Sequence, residues 1–68
     1  MIALASSNLA AVGYDPFSGN LTIEFHGGRV YDYSRVPWSI YKGLLRAESH
    51  GSFFYREIRD RYSCRRLR

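Results

Sequence analysis

The sequence predicts an α+β domain, a three-stranded antiparallel sheet followed by two helices packed on one of its faces, on three observations. Leu21-Thr22-Ile23-Glu24-Phe25 alternates apolar and polar residues as a half-buried strand does. A Gly27-Gly28 pair separates that run from a second strand-like run, Arg29 to Tyr33. After Pro37, apolar residues recur at helical spacing. Strands first and helices afterwards give the order βββαα.

The first strand of the three is Leu9 to Tyr14, ended by Asp15-Pro16-Phe17-Ser18-Gly19-Asn20, a segment dense in turn formers. Glycine adopts positive φ without a Cβ penalty, so Gly27-Gly28 reads as a two-residue hairpin turn. That turn pairs His26 with Arg29, Phe25 with Val30, Glu24 with Tyr31 and Thr22 with Tyr33. Leu21, Ile23, Phe25 and Val30 then face the helices, and Tyr31 and Tyr33 face the other way. The same register puts Asp32 on the helix side across from Ile23, an awkward place for a carboxylate.

Pro37 suits the first helical position, where its missing N–H costs nothing. Ile40, Tyr41, Leu44, Leu45 and Ala47 make the apolar side of the first helix, with Lys42 and Arg46 projecting from the other and Gly43 weakening it. Glu48-Ser49-His50-Gly51-Ser52 breaks the period. A second helix is expected from Ser52 as its N-cap, carrying a stripe of Phe54, Ile58 and Tyr62 and a frayed last turn.

With 68 residues there is room for one core and one domain, the core spanning about 9–62 and a basic tail 63–68. An apolar share of 46% with 16% aromatic residues places the chain outside the disordered regime. A domain this small has marginal stability, which leaves self-association open to it. A single cysteine, Cys64, allows no internal disulfide, and the short apolar start, Met1 to Ala5, lacks a basic flank. No apolar run reaches the roughly 20 residues of a membrane span. The expectation is a soluble, cytoplasmic protein in which the Asn20-Leu21-Thr22 sequon is accidental.

Residues 1 to 34 carry Arg29 against Asp15, Glu24 and Asp32, a net of −2, whereas residues 35 to 68 carry nine Lys or Arg against Glu48, Glu57 and Asp60, a net of +6. A basic half attracts phosphate-bearing partners.

Several segments together resemble the KTSC family, a short domain found at the C-terminus of some lysyl-tRNA synthetases and as free-standing proteins of bacteria and their phages. The resemblance runs through Val12-Gly13-Tyr14-Asp15, Leu21 to Phe25, Gly28 to Tyr33, Val36-Pro37 and Ala47 to Phe54 with Ile58, most of residues 9–62. Its most recognisable parts are the Tyr-x-Tyr of Tyr31 and Tyr33 and the Ser-x-Gly joint of Ser49 and Gly51. It implies an RNA-binding role and a phage or mobile-element setting; the Arg-rich end lies outside its pattern.

The candidate nucleic-acid-binding residues are Tyr31, Tyr33, Lys42, Arg46, Ser49, Gly51, Arg56 and Arg59. The tyrosines, if exposed on the helix-free face, are rings on which splayed bases stack; the alternative is that a register shift makes them core. The Ser49 to Ser52 joint leads into a helix N-terminus, a natural anion site that Arg46 and Arg56 flank, or else a plain capped turn. Arg56 with Asp60 and Glu57 with Arg61 are i,i+4 pairs that compensate part of the charge. His26, His50 and Cys64 make neither a zinc site nor a nucleophile with a base, and no catalytic motif or cofactor fingerprint is present. The sequence therefore reads as a non-enzymatic binding domain without cofactor. Its expected partner is nucleic acid, RNA preferred; the alternative, motivated by the aromatic excess, is a protein-interaction module that binds a host or phage protein through the aromatic sheet face or assembles with itself.

Overall fold

The computed structural model describes all of residues 1–68. Five antiparallel strands lie in the order of the chain: β1 (Ile2–Ala3), β2 (Leu9–Asp15), β3 (Asn20–Phe25), β4 (Val30–Tyr33) and β5 (Cys64–Arg66). Helices α1 (Trp38–Arg46) and α2 (His50–Glu57) fall between β4 and β5 and cover one face of the sheet. The α+β class, the antiparallel sheet and the helix pair are those the sequence predicts. The sheet is wider by one short strand at each edge. No helix is long and apolar enough to cross a membrane.

The core is a single cluster in which Leu9 and Val12 of β2, Leu21 and Ile23 of β3 and Tyr33 of β4 meet Val36, Tyr41, Leu44, Phe54 and Ile58. Excluding each such aliphatic side chain from water contributes roughly 1.5–3 kcal/mol, so these few residues hold most of the fold's stability. Leu9 pairs with Phe25 while Ala11 pairs with Glu24, a bulge that lets both Leu9 and Val12 face inward. Tyr14 stacks on Tyr41 at 4.6 Å between centroids and donates from its hydroxyl to the Val36 carbonyl at 2.6 Å. That contact ties β2 to the segment leading into α1.

The β3–β4 register corrects the two-residue turn. Leu21 pairs with Tyr33, Thr22 with Asp32, Ile23 with Tyr31 and Glu24 with Val30, and Phe25 N–H donates to the Arg29 carbonyl at 2.8 Å. The loop is therefore His26-Gly27-Gly28, with φ of +101° and +95° at its two glycines. One extra loop residue moves every later side chain to the opposite face. Tyr31 and Tyr33 are on the helix side. Val30, expected there, lies on the other face, buried but outside the core cluster. Asp32 joins Val30 on that face, where it accepts from Thr22 Oγ1 at 2.6 Å and lies 3.8 Å from Arg65. The carboxylate that sat awkwardly in the two-residue register is thereby satisfied.

Helix α2 begins earlier than Ser52. Ser49 is its N-cap, accepting from Ser52 N–H, and the helix stops at Glu57 where Ile58 and Arg59 N–H both reach the Phe54 carbonyl. Tyr62 accordingly lies beyond the helix, half-buried against the core. Gly43 is explained by the pairing of the helices: a Cβ there would stand 2.6 Å from Cζ of Phe53. The residue that weakens α1 locally lets α2 pack against it. The basic end is no tail. Cys64, Arg65 and Arg66 pair with Tyr33, Asp32 and Tyr31, making β5 the edge of the sheet.

Candidate nucleic-acid interface

A groove of about 500 Å3 opens between the hairpin end of β3–β4 and α2. Its aromatic lining comes from Phe25, Tyr31, Tyr33, Phe54 and the exposed Tyr55. Phe25 meets Tyr31 edge-on at 5.9 Å and Phe54 edge-on at 5.4 Å, and Tyr33 meets Phe54 at 5.6 Å. Each ring thus fixes the next in an arrangement aromatic pairs favour. Two arginines lie over rings of this lining, Arg29 at 5.5 Å from the Phe25 centroid and Arg59 at 4.5 Å from that of Tyr55. Such contacts hold a guanidinium plane while leaving its N–H donors free for an anion.

Asn8, His26, Asp60 and Cys64 supply the polar edge. His26 Nε2 lies 2.9 Å from the Ser6 carbonyl, and His26 N–H donates to the Asn8 carbonyl at 3.0 Å. The segment before β2 is thereby fastened beside the hairpin loop.

Burial, reinforced by negative charge on Cys64, pushes the Tyr33 phenol up from 10.0 to about 12. The sign follows from linkage. Below pH 10 both folded and unfolded chains hold the proton and the stability is complete; between pH 10 and 12 the unfolded chain ionises first, so stability falls. About 2–3 kcal/mol is expected to be lost by pH 12 through this group. Denaturant melts from pH 9 to 12 should show it as the difference between the wild type and Tyr33→Phe, whose melts should decline less. Parallel declines in the two proteins would assign the loss to other groups.

The eight sequence-derived candidates separate into two constellations and one outlier. Tyr31, Tyr33, Gly51 and Arg59 all line the aromatic groove, although the tyrosines reach it from the helix side and not from the helix-free face. Tyr33 is 4% exposed and belongs to the core; Tyr31 is half-buried. Arg46, Ser49 and Arg56 come together around a separate cavity of about 360 Å3 between the two helices, as their position around the joint predicts. There Ser49 Oγ is engaged as the α2 cap, and Arg56 lies 3.8 Å from Glu57 instead of pairing with Asp60. Arg61, expected to pair with Glu57, donates from Nε to the Arg56 carbonyl. Lys42 lines neither cavity.

The sequence reading missed Arg29, Phe25 and Tyr55 as site residues. Phe25 and Arg29 flank the glycine pair, and only the three-residue loop sets them on one side of it. Tyr55 lies on α2 and Arg59 two residues past its end, four apart in the chain, a spacing that the sequence shows.

The KTSC domain profile matches residues 5–62. A KTSC domain protein from Yersinia pestis, known from its crystal structure, superposes with a TM-score of 0.91 at 33% identity, over 97% of this chain and 93% of that one. A protein of Stutzerimonas stutzeri strain A1501 is 43% identical over 53 residues, 78% of this chain and 75% of the relative. A lysine–tRNA ligase of Nostoc sp. strain PCC 7120 is 33% identical over 61 residues, 90% of this chain but 11% of the ligase. The chain therefore corresponds to about a tenth of that enzyme.

Proposed function

The chain belongs to the KTSC domain family, and from that premise we propose that it is a non-enzymatic nucleic-acid-binding domain, RNA preferred, whose working surface is the aromatic groove beside α2. The observation that carries the reading is the convergence of Arg29 and Arg59 on a lining of five aromatic rings. Arginine over aromatic surface is what single-stranded nucleic acid meets on its binding platforms. The net charge of +4 supports it, as does kinship with part of an enzyme whose name makes tRNA its substrate. Arg46 and Arg56, around the neighbouring interhelical cavity, provide a second place for phosphate.

Direct titration with a labelled RNA tests the reading. With two to four phosphate contacts on a single strand, affinity should fall about 7- to 50-fold between 50 and 200 mM salt. Arg29→Ala and Arg59→Ala should each weaken binding and reduce the log–log salt slope by about 0.7. Absence of binding to RNA and DNA at low salt would remove the proposal.

A protein partner is the second reading, and Phe17 and Trp38 favour it. Phe17 is 99% exposed on a turn whose Asp15 carboxylate accepts from Phe17 N–H and Ser18 Oγ, and Trp38 is 54% exposed. Exposed aromatic residues of this kind anchor protein interfaces. A pull-down that enriches a protein and loses it on Phe17→Ser, with no nucleic acid retained, would move the assignment to this surface.

A further inference from the structure

Resting on the nucleic-acid reading, we infer that the groove receives a single unpaired base of a single-stranded RNA, its ring among Tyr31, Phe25 and Tyr55 and a flanking phosphate on Arg59 or Arg29. Three features exclude a duplex as the preferred occupant. The aromatic faces lie inside a concavity bounded by β4, α2 and β5, and a base pair within a helix presents only its edges there. The basic residues make no continuous strip for two backbones. Arg65 and Arg68 are directed to Asp32 and Glu24, Arg61 and Arg66 donate to backbone carbonyls, and Arg46 and Arg56 gather at a different cavity.

The third feature is the mixture of charges in the lining. Arg29 and Arg59 attract phosphate, whereas Asp60, the one carboxylate there, repels phosphate and accepts hydrogen bonds only. An uncharged base with an exocyclic amino group suits Asp60, and its flanking phosphate suits the arginines. The volume, about 500 Å3, is within the range of sites that hold one small organic group. Adenine, which carries an amino group and no negative charge, is the appropriate first probe.

The experiment compares three ligands on the full chain at one salt concentration: a ten-nucleotide oligo(A) RNA, an abasic ribose-phosphate oligomer of the same length, and a ten-base-pair RNA duplex. The oligo(A) strand is expected to bind about tenfold or more tightly than either of the others, the scale of one stacked base. Tyr55→Ala removes an exposed wall of the groove and so should leave the fold intact. It is expected to weaken the oligo(A) complex about tenfold while leaving the abasic and duplex complexes within twofold. Aromatic NMR resonances of Tyr31 and Phe25 should shift with oligo(A) and not with the abasic chain. Equal affinity for all three ligands, or a uniform loss on Tyr55→Ala, would overturn the single-base inference while preserving phosphate-driven binding. Failure of every ligand to bind at low salt would overturn the nucleic-acid reading itself.

Discussion

Tyr33→Ala is expected to cost about 3–5 kcal/mol, the range for truncating a buried aromatic side chain. Tyr33 is 4% exposed, meets Phe54 edge-on at 5.6 Å, and stands on the helix side between the β3–β4 ladder and β5. Its removal opens a cavity in the core cluster beside its cross-strand partner Leu21 and its ring neighbour Phe54. A domain of this length holds roughly 0.05–0.15 kcal/mol of stability per residue, so the loss is comparable with the whole. The variant should be mostly unfolded at room temperature by circular dichroism, as Phe54→Ala should be. Half-buried Tyr31 should lose less on truncation, about 1–2 kcal/mol. A Tyr33→Ala protein within about 1 kcal/mol of the wild type in urea melts would return the ring to the surface and restore the two-residue turn.

That outcome turns on a single loop residue, and the loop shows where sequence reasoning stops. The alternation in Leu21-Thr22-Ile23-Glu24-Phe25 fixes the buried face of β3 from side chains alone, and Leu21 and Ile23 are indeed fully excluded from water. The face of β4 depends instead on how many residues turn. Gly27-Gly28 suits a two-residue turn and also the end of the three-residue loop His26-Gly27-Gly28, since both use positive φ at glycine. The decisive clue was Asp32, which the shorter turn leaves among apolar groups and the longer turn sets against Thr22 and Arg65. Satisfying a carboxylate outweighs turning Val30 inward.

The helices were legible because their apolar residues recur over several turns, and Arg46, Ser49 and Arg56 could be placed together because they flank the short joint between the two helices. The groove was not. Its rings come from β3, β4 and α2, and Tyr31 joins Phe25 in one lining only in the three-residue register. Strands β1 and β5 escaped for a different reason: each is two or three residues long and exposed throughout, and β5 is largely arginine, so neither carries a periodic pattern. Charged edge strands of this sort protect a sheet against pairing with other chains while concealing themselves as tails.

Deleting Cys64 to Arg68 is accordingly expected to destabilise the protein by about 2–4 kcal/mol, the net of several lost backbone hydrogen bonds and newly exposed apolar surface. The segment accepts from Val30 N–H at the Arg68 carbonyl, 2.9 Å, and donates from Leu67 N–H to the Val30 carbonyl, 2.7 Å; just before it, Ser34 N–H donates to the Ser63 carbonyl at 2.9 Å. Without it, the outer edge of β4 loses its partners, and Val30 and Tyr33 lose neighbours. The release of five residues into free chain offsets part of this loss. The charges contribute little by comparison. Arg65 and Arg68 approach Asp32 and Glu24 at 3.8 and 3.7 Å with their own side chains mostly in solvent, so Arg65→Gln with Arg68→Gln should cost under about 1 kcal/mol. Urea melts of the truncated and doubly substituted proteins separate the two contributions. If the truncated chain melts with the wild type, residues 64–68 form no strand in solution and act only as a basic tail. If the double substitution alone reproduces the full loss, charge pairing and not the backbone ladder holds β5 to the sheet.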